Sequence, residues 1–148
     1  MKLYDEGKFG LTDPISKYVP SMKGSRKGRI TIEDLLYHQS GLPGSWPFYR
    51  EAIDDSSYVG GLFKARVDAH HHLQVDRRLF VVDEFAYKKE YVASERSEDY
   101  PLQIADGLFV SRDFQKRMLE MIASDKIPLR DRRYRYSCLN FVLLKEMV

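Results

Sequence analysis

Glycine and proline residues interrupt the first part of the chain at short intervals, which limits the length of any helix there. Gly7 follows what resembles the last turn of a helix. Pro14 suits the first position of a short helix that Pro20 stops. Thr31 is placed to cap a further helix that ends at residues 41–43. The pattern therefore predicts several short helices separated by turns.

The rest of the chain alternates between irregular and helical patterns. Residues 44–74 are loop-like, with a proline, a glycine pair and three adjacent histidines. Residues 75–110 are rich in β-branched and aromatic side chains, which leaves short extended segments and an irregular lid as alternatives. Ser111 then caps an amphipathic helix, and a last apolar helix begins near Ser137. No internal repeat is visible, and both ends are expected to lie inside a longer polypeptide.

Composition excludes several classes of function. The chain has 148 residues, 43% of them hydrophobic, enough for one domain with a core. Its 24 basic and 22 acidic residues nearly cancel, so no broad positive field would attract nucleic acid or an anionic membrane. No apolar run approaches the roughly 18 residues of a membrane span. A single cysteine, Cys138, excludes an internal disulfide and a zinc site built on paired cysteines.

Two motif blocks carry a resemblance to a known superfamily, and the first covers residues 3–43. Residues 7–20 read G-K-F-G-L-T-D-P-I-S-K-Y-V-P and resemble G-K-L-x-L-x-D-P-V-x-K-Y-x-P of class C β-lactamases, DD-peptidases and related esterases. Residues 30–43 read I-T-I-E-D-L-L-Y-H-Q-S-G-L-P and resemble their signature I-T-I-R-x-L-L-x-H-T-S-G-L-P. Such a match is highly specific.

The second block covers residues 136–144, which read Y-S-C-L-N-F-V-L-L. It resembles the Tyr-Ser-Asn motif at the start of a helix that ends in Leu-Leu. The two blocks together cover about 50 of the 148 residues. We therefore expect one partial domain over residues 1–148, with a family-specific insertion at about residues 44–130.

The resemblance to the serine β-lactamase and penicillin-binding-protein superfamily implies a fold and a chemistry. The implied fold is mainly α with minor β, namely the helical subdomain without most of the α/β sheet domain. In this superfamily the serine of a Ser-x-x-Lys motif attacks a carbonyl, and the tyrosine of the second motif relays its proton. That tyrosine corresponds to Tyr136. His38, Ser40 and Gly41 form a structural motif, in which His38 is expected to sit behind the site and anchor the turn.

The nucleophile itself is not encoded here, because no serine of the sequence has a lysine three positions later. A free phenol has a pKa near 10, so Tyr136 needs neighbouring cations to exchange a proton near neutral pH. Cys138 stands where the family usually has a substrate-binding asparagine, and a thiol is a much weaker hydrogen-bonding partner. Asn140 would point about 200° away from Cys138 on a helix, so it is not an obvious replacement. The chain is therefore expected to be inactive alone, and Cys138 argues against β-lactam hydrolysis.

Two further features have competing interpretations. The histidines at 70–72 suggest a metal site, but consecutive side chains diverge, which favours a solvated loop and no metal. Cys138 lies near Arg135 at a helix start, where a thiol can be reactive. A small buried core residue is the favoured interpretation of Cys138.

The favoured function is therefore a fragment of a serine hydrolase that cleaves an amide or ester through an acyl-enzyme. Its expected partners are the missing α/β part of the parent chain and a small peptide, ester or β-lactam substrate. Neither nucleic acid, a membrane span nor a cofactor is expected. The resemblance implies a periplasmic or secreted parent, because cell-wall peptides and β-lactams occur outside the cytoplasm.

Two alternatives stay open. The first is a non-catalytic binding or interaction module on the same fold, which Cys138 and the absent serine favour. The second is a separate esterase that uses Cys138 or Ser40 with His38. Hydrogen-bond reach between those side chains would test the second alternative.

Overall fold

The computed structural model describes residues 2–147, which form two compact units. The motif unit consists of Met1–Pro47 and Lys116–Val148, and it contains both motif blocks. The sheet unit consists of Phe48–Gln115. No helix within residues 2–147 combines the length and the apolar character that crossing a membrane requires.

Short helices make up the motif unit, as the glycine and proline pattern predicts. Its α-helices are α1 (Lys2–Asp5), α2 (Ile32–Leu36), the C-terminal part of α4 (Arg112–Ala123) and α5 (Cys138–Lys145). Three 3-10 helices lie between α1 and α2, at Ile15–Lys17, Pro20–Met22 and Arg26–Arg29. The large aliphatic side chains that are fully buried in the described part of this unit come from these elements and the turns between them: Ile15, Val19, Met22, Ile30, Ile32, Leu35, Leu42, Ile122, Ile127, Leu139 and Leu143.

Local capping determines where these helices start. The Thr31 hydroxyl accepts a hydrogen bond from the Asp34 amide at 3.1 Å, and the Asp34 carboxylate accepts one from the Thr31 amide at 3.0 Å. This reciprocal capping box satisfies two amides that have no partner within the helix. Ser111 caps α4 by accepting from the Phe114 amide at 3.1 Å, and Ser137 is the N-cap residue of α5. The helix starts predicted at these three positions are confirmed.

Lys27 ties the end of α4 to the 3-10 segment, although it is a charged residue with only 2% of its surface exposed. Its ammonium donates hydrogen bonds to the carbonyl oxygens of Ile122, at 2.7 Å, and Ser124. Such carbonyls at a helix C-terminus have no partner within the helix and carry partial negative charge. Burial lowers the pKa of Lys27, and the carbonyls compensate for the lost hydration of its charge.

The sheet unit contains α3 (Tyr49–Ala52) and two three-stranded antiparallel sheets. The first sheet has the order β1-β3-β2, with strands Phe63–Lys64, Leu79–Val81 and Leu73–Asp76. The second has the order β4-β6-β5, with strands Val92–Ala93, Leu108–Val110 and Leu102–Ala105. The N-terminal part of α4 follows the second sheet.

The two sheets are copies of one motif with a period of 29 residues. Each strand of the second sheet begins 29 residues after its counterpart, at Val92 and Phe63, Leu102 and Leu73, and Leu108 and Leu79. Both hairpins have an irregularity at the same place, between residues 74 and 76 and between residues 103 and 105. We call residues 58–86 repeat 1 and residues 87–115 repeat 2.

Hydrogen bonds outside the strands repeat with the same period. The Val82 amide donates to the Leu62 carbonyl at 3.0 Å, and the equivalent Ser111 amide donates to the Tyr91 carbonyl at 2.9 Å. The sequences are most similar in the hairpins, where L-Q-V-D-R-R-L-F-V-V at 73–82 corresponds to L-Q-I-A-D-G-L-F-V-S at 102–111. The expectation that the chain has no internal repeat is therefore wrong.

The predicted fold class is also wrong. Helices hold 29% of the residues and strands 16%, in two sheets, so the fold is mixed α and β and not mainly α. The β-branched and aromatic residues of the middle segment form short paired strands, the first of the two alternatives that their pattern allowed. A hydrophobic cluster of Ile53, Leu62, Val81 and Val82 lies against the first sheet.

The three histidines of repeat 1 do not share one environment. His71 is fully buried, and its ring nitrogens lie 2.8 Å from the Asp68 carboxylate and 2.6 Å from the Gly61 carbonyl oxygen. Both neighbours are acceptors, so the doubly protonated ring satisfies both. His72 is exposed and pairs with Asp83 at 2.7 Å. The predicted solvated loop is therefore wrong for His71.

We predict that Lys27→Met lowers the free energy of unfolding by about 2 kcal/mol, because the carbonyls of Ile122 and Ser124 lose their donor. Urea denaturation at neutral pH measures the change. Lys23→Met, at an exposed position of the same segment, is the matched control and should be neutral. Equal stability of the two variants would contradict this role of Lys27.

Stability should also depend on the protonation of His71. The Gly61 carbonyl and then the Asp68 carboxylate raise the pKa of His71 above its ordinary value of about 6.5. A raised pKa in the folded state adds stability that is complete below pH 6.5 and is lost as the pH rises through the folded pKa. Urea midpoints should therefore fall from mildly acidic to alkaline pH, and less so in His71→Gln. An NMR titration that places the His71 pKa below 6.5 would refute this explanation.

Candidate functional site

The end of the first motif block lies along the start of the second, within the motif unit. The Arg135 amide donates to the His38 carbonyl at 2.9 Å, and the Cys138 amide donates to the Gly44 carbonyl at 2.8 Å. The Ser137 hydroxyl donates to the Pro43 carbonyl at 2.6 Å. These bonds fix the backbone on both sides of Tyr136, the predicted catalytic residue.

Gly41 lets the two segments approach closely. Its φ of 77° lies in the left-handed region, and its carbonyl accepts from the Arg130 amide at 2.8 Å. A Cβ atom at this position would collide with the Arg130 carbonyl oxygen. A residue other than glycine would therefore suffer both strain and a clash.

Asn140 joins the two motif blocks through its side chain, which is fully buried on α5. Its amide nitrogen donates to the Leu35 carbonyl at 2.9 Å and to His38 Nδ1 at 3.1 Å. Its oxygen accepts from the Ser40 hydroxyl at 2.7 Å. That hydroxyl in turn accepts from the Leu42 amide at 3.2 Å, so the side-chain polar groups of Asn140 and Ser40 all have partners.

His38 has a defined tautomer in this arrangement. Its Nδ1 lies 3.2 Å from the Ser137 backbone nitrogen, which can only donate a hydrogen bond. Nδ1 is therefore an acceptor, and a neutral ring carries its proton on Nε2. The ring centroid lies 4.8 Å from that of Tyr136 and 5.5 Å from that of Phe141. His38 thus supports the Tyr136 ring on one face and the Ser137 backbone through Nδ1.

Tyr136 presents its phenol to solvent, with 55% of its surface exposed. The Cys138 sulfur lies 3.9 Å from the phenol oxygen, and Cys138 is also exposed. The hydrogen bond with Cys138 is the main cause that raises the pKa of Tyr136 above its ordinary value. No cationic side chain within residues 2–147 is among the causes that shift this pKa. The phenol is therefore protonated at neutral pH and acts as a hydrogen-bond donor.

The site brings together the five residues that the motifs indicated: Tyr136, Cys138, His38, Ser40 and Gly41. The expectation that Cys138 is buried is wrong, since its side chain lies beside the exposed phenol. No hydrogen bond in the described part of the chain joins His38 to Ser40 or Cys138, which the separate esterase would require.

Sequence reasoning missed the role of Asn140. It treated this residue only as a poor replacement for the family asparagine, whereas the side chain connects Leu35, His38 and Ser40. The available signal was a single amide side chain in the otherwise apolar stretch L-N-F-V-L-L, because buried polar groups require partners.

Among the described residues, no group of three or more His, Cys, Asp or Glu side chains is placed to hold a metal ion. The histidines at 70–72 instead pair with carboxylates or face solvent.

Comparison with known proteins identifies a matching family and a similar protein. A profile of the Beta-lactamase family matches residues 1–148. The teichoic acid D-alanine hydrolase of Staphylococcus aureus (strain MRSA252) is 46% identical over 41 residues, which cover 28% of this chain and 10% of that protein. The matched segment thus spans a tenth of the relative. No solved structure matches the chain. The family match confirms the resemblance that the two motif blocks predicted.

We predict that Asn140→Leu lowers the free energy of unfolding by about 3 kcal/mol, because it removes buried hydrogen bonds to Leu35 and His38 and leaves the buried Ser40 hydroxyl without an acceptor. Chemical denaturation measures the loss. Cys138→Ala, two positions earlier on the same helix and exposed, should change stability by less than about 0.5 kcal/mol. A loss in Asn140→Leu no greater than that of the control would show that the network is not a stabilising element.

Proposed function

The chain belongs to the Beta-lactamase family, and from this premise we propose that it forms part of a serine hydrolase that cleaves an amide or ester through an acyl-enzyme. Tyr136 is the proposed tyrosine that hydrogen-bonds the nucleophilic serine and relays its proton. The observation that carries this proposal is the combination of an exposed phenol with a fixed backbone, because a proton relay needs access and position together.

The nucleophile and its lysine would come from polypeptide outside these 148 residues. No Ser-x-x-Lys occurs in the sequence, and the hydroxyl of Ser40 already bonds to Asn140. The raised pKa of Tyr136 keeps its proton in place until cations approach. The chain alone is therefore proposed to be inactive.

The proposed substrate is an ester or amide of a small peptide or amino acid. The relative from Staphylococcus aureus is named as a hydrolase of teichoic acid D-alanine, and D-alanine attached to a cell-wall polymer is an acyl group of this class. Cys138 offers a weak hydrogen bond where the family usually has an amide, which argues against β-lactams. We place the parent protein outside the cytoplasm, where such polymers occur.

A second candidate is a non-catalytic binding module on the same fold. It is favoured by Cys138 and by exposed apolar side chains at equivalent positions of the two repeats. Leu73 and Val75 on β2 are 61% and 50% exposed, and their counterparts Leu102 and Ile104 on β5 are 51% and 57% exposed. Exposed edge strands of this kind can pair with another chain.

Acylation by a fluorescent fluorophosphonate distinguishes the two candidates. We expect no labelling of the 148-residue chain and labelling of a longer product of the same gene that includes an upstream Ser-x-x-Lys. Tyr136→Phe in the longer protein should slow labelling by about 100-fold or more, because a general acid-base group contributes about that factor.

Tyr134→Phe is the matched control, since Tyr134 is 72% exposed and its ring also lies near His38, at 6.2 Å. It should label at the normal rate. Labelling of the 148-residue chain would refute the proposal that the nucleophile lies outside these residues. An unlabelled longer protein would favour the binding module.

A further inference from the structure

A cavity lies in the sheet unit between the start of repeat 1 and the residues that precede it. The cavity has a volume of about 430 Å³ and is lined by Arg50, Asp55, Tyr58 and the pair Gly60-Gly61. We call it the Tyr58 cavity. Its volume lies within the range of about 300–1,000 Å³ that is common for small-molecule sites.

Two adjacent glycines line the cavity, so no side chain projects from this part of its wall. Atoms at Cβ positions on Gly60 and Gly61 would meet nothing closer than 3.9 Å and 3.5 Å, respectively. The equivalent positions in repeat 2 hold Lys89 and Glu90. Gly60 has a φ of 83°, which Lys89 does not share, so the two copies differ here in backbone as well as in side chain.

The lining of the cavity includes one basic and one acidic side chain, Arg50 and Asp55. Arg50 is exposed and forms no ion pair within residues 2–147, and its guanidinium offers the planar fork that suits a carboxylate. The Asp55 carboxylate accepts a hydrogen bond from the Tyr58 hydroxyl at 2.6 Å, which orients it at the cavity. Phe63 and the largely buried Leu62 complete the lining, whose surface is more polar than apolar.

We propose that the Tyr58 cavity binds a zwitterionic ligand, either a free amino acid or a short peptide with free ends. The ligand carboxylate binds Arg50, its ammonium group binds Asp55, and its side chain lies against Phe63. A doubly charged phosphate fits less well, because the Asp55 carboxylate would repel it. This site is formed by residues of the sheet unit, whereas the proposed hydrolase chemistry uses residues of the motif unit. The binding proposal therefore does not depend on the hydrolase proposal.

Calorimetric titration of the full chain with alanine and with alanyl-alanine, each as both enantiomers, tests the proposal and separates the two ligand lengths. Arg50→Gln should weaken binding about tenfold or more, which equals about 1.4 kcal/mol. Arg66→Gln, at an exposed arginine of the sheet unit that does not line the cavity, should change the affinity by less than about twofold. Circular dichroism checks that each variant is folded.

Ligands that lack either the ammonium or the carboxylate charge test the contacts with Asp55 and Arg50 separately. N-acetylation or C-terminal amidation of the better ligand should each weaken binding to the native chain. In Asp55→Asn, acetylation should no longer matter, because the partner of the ammonium is gone. Gly61→Glu, which restores the repeat 2 side chain, should abolish binding. The proposal is overturned if none of the four unmodified ligands binds the native chain at about 10 mM. It is also overturned if Arg50→Gln and the native chain bind the better ligand equally well.

Discussion

The buried side chain of Asn140 is the constraint on which the arrangement around Tyr136 depends. It contacts the end of α2 at Leu35, the ring of His38 and the hydroxyl of Ser40, residues about 100 positions earlier in the chain. An apolar residue could fill the same space but could not orient the imidazole. Because His38 then accepts from the Ser137 amide and packs against Tyr136, a bond inside the core determines the position of an exposed phenol.

The sheet unit follows a different principle, in which one scaffold is used twice. Strand register and hairpin irregularities recur after 29 residues, whereas the side chains around them differ. Repeat 1 has a buried His71 paired with the partly exposed Asp68, where repeat 2 has Tyr100 and Ser97. Hydrogen bonding of the backbone thus preserves the fold, and the side chains are free to diverge into the separate environments of the two copies.

Local features of this chain could be predicted from its sequence, and distant pairings could not. The caps at Thr31 and Ser111 depend on neighbours within three residues, and the motif blocks locate Tyr136. The strands were ambiguous because each has only two to four residues, too few to display a period of two. The repeat was missed because its similarity is concentrated in ten residues. The role of Asn140 depends on partners brought close by folding alone.

The energetics of Tyr136 set a condition on any catalytic role. Lowering the pKa of a phenol from about 10 to about 7 requires about 4 kcal/mol of preference for the phenolate. An exposed ion pair supplies about 1 kcal/mol or less, so one distant lysine is insufficient. Cys138 acts in the opposite direction, because it raises the pKa of Tyr136. A catalytic Tyr136 therefore needs one or more cations held close to its oxygen and shielded from water, whereas a binding role needs only the protonated phenol that the motif unit already presents.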